Sequence, residues 1–305
     1  MKQTLIFLLL VKFSFGAFAQ TDTVATVTAT SSIEIRSTGS PAASQDAVDR
    51  NESPYTTSFA VDGPIIGAGL GLTYLGFKGI QNKDPLTDAE LNALSKDDVN
   101  GFDRFSAGWY SPKADDHSYL PFYASFAYPV IGLLNKNTGK KAGQVMVLYL
   151  ETMATTGALF TMAAGYIVRH RPLVYDTTPE AEGGASASKK KSKNSQRSFF
   201  AGHTAATAAA SFFAAKVFAD FNPDSKLKPY VWGAAALTSA SVGYLRLKAG
   251  QHFLSDNLIG YGVGMAAGIL VPHFHKKKNA VNGLSFQPFM GNGMGGMSMT
   301  YRVKK

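Results

Sequence analysis

Six apolar stretches separated by polar connections run along this chain, and they limit its fold to helices packed side by side. They cover 59–80, 120–134, 142–168, 204–219, 230–245 and 253–272. Their lengths exceed those of ordinary strands, which average about 5–6 residues. The stretch 142–168 has Glu151 as its single charge and is longer than the ~20 predominantly apolar residues that cross a bilayer. The stretches 120–134 and 230–245 are marginal by that measure. An all-α bundle of six helices is the expected architecture.

The flanks read differently. Residues 1–19 place Lys2 before an apolar run from Leu5 to Leu10 and end on Ala17-Phe18-Ala19, the order of a secretory signal peptide with a small-residue cleavage site. Residues 20–54 are rich in Thr, Ser, Ala and Asp without hydrophobic periodicity and are expected to be a disordered linker. The helical domain is expected over 55–275. In the basic tail, 276–305, the alternating segments 284–289 and 297–301 flank a Gly-rich turn, the pattern of a β-hairpin. In the polar stretch 81–117, Thr87 is a candidate N-cap for a short surface helix.

A chain of 305 residues, 45% hydrophobic, can bury one substantial core. It contains no cysteine. That removes a disulfide framework, a thiolate nucleophile and a cysteine zinc site. The net charge of +9 is concentrated in Lys189, Lys190, Lys191, Lys193 and Arg197, in Lys276 to Lys278, and in Arg302, Lys304 and Lys305. Without those eleven, 19 basic residues face 21 acidic ones. Such runs are read as solvated or membrane-surface segments, and nucleic acid is excluded as a partner for want of any recognition motif. The segment 173–199 between the first two motifs below is read as a flexible connection, with a gate over the substrate as the alternative.

Three short motifs carry the chemistry: Arg171-Pro172, Gly202-His203, and Arg246, His252 and Asp256 in the spacing R-x5-H-x3-D. On a helix, residues four apart share a face, so the Asp256 carboxylate is expected to reach the His252 imidazole and fix its tautomer. The other ring nitrogen is then a base or nucleophile. The same pair alone is also an ordinary structural contact worth a few tenths of a kcal/mol. Two guanidiniums match a tetrahedral oxyanion with paired donors, and a helix opening at Gly202 adds backbone N–H groups. His203 stands ready as a proton donor.

At these residues the chain resembles the type-2 phosphatidic acid phosphatase superfamily, whose pattern reads K-x6-R-P, P-S-G-H and S-R-x5-H-x3-D. The resemblance covers roughly 57–275. It implies the six-helix bundle of that superfamily, with His252 as nucleophile, His203 as acid to the leaving oxygen and Asp256 as orienter of His252. Arg171, Arg246 and Gly202 are implied phosphate ligands, and neither metal nor cofactor is implied. The substrate would be a phosphorylated lipid, such as phosphatidate, an isoprenyl diphosphate or a lipid A phosphate, or a small phosphate ester.

The chain departs from the pattern at Ala164, at Phe200-Ala201 and at Leu245, where Lys, Pro-Ser and Ser are expected. Arg169 is the expected replacement for the lysine, and Lys248 a weaker one. These losses keep a weakly active or non-catalytic envelope scaffold open as an alternative, and a vanadate-dependent haloperoxidase is the further one. The expected location is the bacterial envelope, exported and membrane-associated with the site facing the periplasm; a soluble periplasmic form is the alternative. The mean hydropathy of −0.03 is low for a polytopic protein. Topology adds a constraint, because a cleaved signal followed by three crossings before Arg171 would put the site inside.

Overall fold

The computed structural model describes residues 52–277 and the backbone of two strands beyond them. The expected signal peptide and all but the last three residues of the expected linker lie outside the described residues. Nine α-helices are described: α1 (Phe59–Gln81), α2 (Asp88–Ala93), α3 (Pro112–Gly132), α4 (Lys136–Gly139), α5 (Ala142–Tyr166), α6 (Ala187–Lys191), α7 (Gly202–Phe221), α8 (Lys228–Lys248) and α9 (Leu254–Phe274). Six of them, α1, α3, α5, α7, α8 and α9, have 20 to 25 residues. Strands β1 (Leu284–Gly291) and β2 (Met294–Tyr301) pair antiparallel, with Leu284 opposite Tyr301.

Helix α7 is central, packing against α3, α5, α8 and α9. Its sequence explains this: Ala205, Ala208, Ala209, Ala210 and Ala215 are buried and let neighbouring backbones approach. Helix α9 answers with glycines at i, i+4 spacing. A Cβ on Gly264 would stand 2.0 Å from the Ala205 carbonyl oxygen, so only glycine allows this approach. Gly260, Gly264 and Gly268 meet Ala201, Ala205 and Ala209 in rising order, so α7 and α9 run parallel. Gly69 and Gly76 of α1 likewise meet Ala154 and Thr161 of α5.

The six long helices therefore alternate in direction. The C-terminal ends of α1, α5 and α8 and the N-terminal ends of α3, α7 and α9 share one end of the bundle. Tyr55 and Lys276 bridge at the opposite end, so both ends of the helical region lie there. Three helices, α1, α5 and α9, are long and apolar enough to cross a membrane. Large apolar side chains also point outward, with Phe59, Leu120 and Leu237 among the exposed ones.

Thr87 caps α2 as expected, accepting from Glu90 N while the Glu90 carboxylate accepts from Thr87 N. Two expectations are corrected. Helix α3 begins at Pro112, eight residues before the apolar stretch, because Ser111 caps it by accepting from Ala114 N and Pro112 sits in its first turn. Its first two turns are polar, so hydropathy passed over them. The connection 173–199 is folded rather than flexible: Asp176 accepts from Thr178 N and Ala185 N, and Lys190 donates to the Asp176 carbonyl. The lysines expected in solvent are tethered, Lys189 to the Tyr110 hydroxyl, Lys191 to Asp88 and Lys193 to the Gln81 carbonyl.

Candidate active site

The three motifs meet at the end of the bundle where α7 and α9 begin. The Ala201 N–H donates to the Asp256 carbonyl at 3.1 Å, which sets the start of α7 against the first turn of α9. The strand-like segments around Arg169 and Arg197 run side by side, Arg171 N donating to Ser195 O and Ser198 N to Arg169 O. This pairing carries the end of the 173–199 connection into the site.

His252 is 2% exposed, and its Nδ1 lies 2.7 Å from the Ser198 carbonyl. A carbonyl only accepts, so Nδ1 holds the proton and the Nε2 lone pair is free. Burial first, then the Arg171 and Arg246 cations, hold the imidazole well below its ordinary pKa, so it is neutral around pH 7. A neutral imidazole with a fixed tautomer is a competent nucleophile.

The expected contact between Asp256 and His252 is not the one formed. Helix α9 begins at Leu254, so His252 precedes it and the two residues do not share a helical face. Asp256 instead accepts from Phe253 N at 2.9 Å, from the Ser198 hydroxyl at 2.6 Å and from Arg169. Its influence on His252 runs through Ser198, whose hydroxyl holds Asp256 while its carbonyl holds the imidazole.

Arg169, expected on the phosphate, is likewise engaged elsewhere. Its guanidinium pairs with Asp256, donates to Asp103 at 2.7 Å and to the Ser255 hydroxyl at 3.0 Å, and lies over the Phe253 ring. Two carboxylates already hold it. Lys248 is exposed and sits over the Trp109 ring.

Arg171, Arg246 and His203 do converge on His252, all three being near enough to act on it electrostatically. Arg246 pairs with Asp115 and donates to the Ser118 hydroxyl. Arg171 donates to Gln251, whose amide donates to the other Asp115 oxygen at 3.1 Å. One carboxylate from the polar start of α3 thus orients both arginines. A third cation joins them: Arg197 faces Arg171, Arg246 and His203. Burial, then Arg197 and Arg246, draw the Arg171 guanidinium down to about 9. The Nε atoms of Arg171, Arg197 and Arg246 are all buried without an acceptor.

Gly202 opens α7, and a side chain there would strike the Phe160 ring, 2.5 Å from an added Cβ. His203 packs on Phe122 and Tyr119, the latter also beneath Arg246. Ala164 and Ala201 are fully buried at the positions where donors were expected. Sequence reasoning missed Asp115, Ser198 and Arg197. The polar onset of α3 hid the first, and no spacing rule ties the other two to the motifs.

Residues 145–280 match the family model for the PAP2 superfamily. This region, a little under half of the chain, is similar to the PAP2 superfamily. The match contains Arg171, Arg197, Ser198, His203, Arg246, His252 and Asp256, whereas Asp115 lies before it. Among solved structures, the chain is similar to "the first transmembrane PAP2 type phosphatidylglycerolphosphate phosphatase from Bacillus subtilis", at 18% identity and a TM-score of 0.42, covering 70% of this chain and 98% of that one. No curated protein matches the chain.

Proposed function

We propose that the protein is a phosphatase of phosphorylated lipids that works through a phosphohistidine. Three guanidinium Nε–H donors, buried beside a neutral histidine and lacking any acceptor, carry this reading. Buried donors ordinarily have partners, and three cations set against the one carboxylate of Asp115 are costly unless a further anion joins them. A phosphate dianion fits both demands. Arg171, Arg197 and Arg246 hold its oxygens, with Arg197 in the role of the missing lysine, and the first-turn N–H groups at Gly202 add neutral donors.

His252 Nε2 then attacks phosphorus, forming an N–P bond as the P–O bond to the alcohol breaks. His203, which takes up a proton as the phosphate dianion offsets the cations around it, gives that proton to the departing oxygen. Water next attacks the phosphohistidine, His203 takes a proton from it, the N–P bond breaks and inorganic phosphate leaves. The arginines stabilise the charge on the equatorial oxygens in both steps. Each step as proposed is carried by protein groups and water, and none calls on a metal.

The apolar helices and outward-facing Phe and Leu side chains support a lipid substrate reached within a membrane. The end opposite the site carries Lys136, Lys140, Lys141, Lys226, Lys228, Lys276 and Lys277 in or beside its connections. The site-end connections carry ten Lys and Arg of their own, so charge does not choose between the ends; the periplasmic orientation of the site rests on the expected export of the chain, with the opposite end cytoplasmic. If all six long helices cross, Tyr55 is then cytoplasmic, and the N-terminal apolar stretch is a retained anchor rather than a cleaved signal. The chain lacks cysteine, so single cysteines report the orientation: Ser188→Cys should react with an impermeant maleimide in intact cells and Ser225→Cys should not. The opposite labelling pattern would reverse the orientation.

Phosphate release from phosphatidate, an isoprenyl diphosphate and a soluble monoester, by detergent-purified protein with chelator present, tests the reaction. Release from a lipid, lost in His252→Ala, is expected. No release from any of the three would favour the weakly active or scaffold reading that Ala164 and Ala201 suggest.

A further inference from the structure

About 30 Å from the candidate active site, at the other end of α9 by its 1.5 Å rise per residue, lies a second group of chemically able side chains. Asp62 of α1 and Glu151 of α5 are 3% and 4% exposed, and His275 follows the last turn of α9. His275 Nε2 stands 3.1 Å from Asp62 Oδ1 and 3.6 Å from Glu151 Oε2. The ligating atoms of all three lie within 4.8 Å of one another. We propose that Asp62, Glu151 and His275 bind a divalent transition-metal ion that ties α1 and the end of α9 to α5.

The protonation of His275 leads to this. Its Nδ1 is 2.7 Å from the Val271 carbonyl, an acceptor only, so Nδ1 holds a proton. The Nε2 atom therefore turns toward two carboxylates, and as a lone pair it would be repelled by them. Ligating histidines are fixed in this way, one nitrogen donating to a backbone carbonyl and the other facing the ion. Glu151 Oε2 supplies the independent observation: it is buried and has no hydrogen-bond donor, the 3.6 Å approach of His275 being too long for one.

Charge and distance agree. Two buried carboxylates within apolar helices are costly when unpaired. An imidazolium would leave one negative charge over, whereas a dication with neutral imidazole neutralises the pair. Ligands about 2.0 Å from a tetrahedral ion stand about 3.3 Å apart, which the 3.1 and 3.6 Å separations straddle. One imidazole among the ligands favours a transition metal over Mg²⁺ or Ca²⁺, which prefer oxygen alone. Asp62 is held ready, its other oxygen accepting from Ser58 N at 2.8 Å.

The full chain, expressed with Zn²⁺ or Mn²⁺ in the medium and purified in detergent, tests this by elemental analysis and thermal melting. About one equivalent of one of these metals per chain is expected, in keeping with a single preformed site. A chelator should lower the melting temperature, and the metal restore it. Glu151→Gln, nearly isosteric, and His275→Ala should each lose the metal and the chelator response. Wild type with no bound metal and no chelator response would overturn the proposal, and so would Glu151→Gln retaining the full equivalent.

Discussion

Ser198 accepts a hydrogen bond from His252 Nδ1 at its carbonyl and, through its hydroxyl, donates to Asp256. The backbone contact sets the tautomer of His252. The side-chain contact fixes where that backbone lies. Ser198→Ala should therefore keep the tautomer and lose only the second contact, lowering kcat by about 10- to 150-fold, as one hydrogen bond to a charged group is worth roughly 1.5–3 kcal/mol. Asp256→Asn should cost more, because it also weakens the Arg169 pair. Steady-state kinetics on the two variants check the order, and a larger loss in Ser198→Ala would contradict it.

Arg197→Ala is expected to lower kcat/KM by about 10- to 150-fold, the range for one charge-assisted hydrogen bond to the phosphoryl group. Its melting temperature should hold or rise, because one of three mutually repelling cations is gone. Arg197→Lys should recover part of the rate, lysine being the residue expected in the family pattern.

Arg169→Ala should show the reverse balance. Removing it leaves the buried carboxylates of Asp103 and Asp256 without their cation, and breaking such a pair costs about 3–5 kcal/mol. The variant should melt well below wild type. A variant as stable as wild type and impaired only in KM would return Arg169 to the phosphate.

His252 should also shape the response to acid. Its folded pKa lies well below the ordinary value of 6.5, so as pH falls from there the unfolded chain takes up a proton first. Its contribution to stability is complete above about 6.5 and declines as pH drops toward the folded pKa. Melting between pH 4 and 7 should fall less steeply in His252→Gln than in wild type. Equal slopes would mean the imidazole is not held neutral.

Ala201→Ser places an oxygen at the N-cap of α7, where none now caps the helix. Such a cap is worth about 0.5–2 kcal/mol, so a rise in melting temperature is expected. A fall would show that the fully buried Ala201 position has no room for the hydroxyl.

The long helices and the core motif residues were legible because apolar runs and the R-x5-H-x3-D spacing are local signals. Arg171, His203, Arg246 and His252 gather where the motifs suggested. The partners were less legible, for a physical reason. Asp115 orients two arginines from the polar start of α3, where hydropathy carries no signal. Arg197 sits in a Lys-rich run that composition alone assigns to solvent, yet backbone pairing with the Arg169 segment carries it inward. The contact expected between His252 and Asp256 turned on one boundary: with α9 beginning after His252, the i,i+4 geometry assumed for that pair does not exist.

The central claim is that His252 carries the phosphoryl group, and trapping that intermediate tests it most directly. In His203→Ala, p-nitrophenyl phosphate should still phosphorylate the enzyme, since its leaving group needs little proton assistance, while hydrolysis of the intermediate slows. Acid-labile, base-stable phosphate at position 252, formed with a burst of p-nitrophenol, is the predicted result. Turnover by wild type with no phosphate trapped on His252 in either protein would contradict the account.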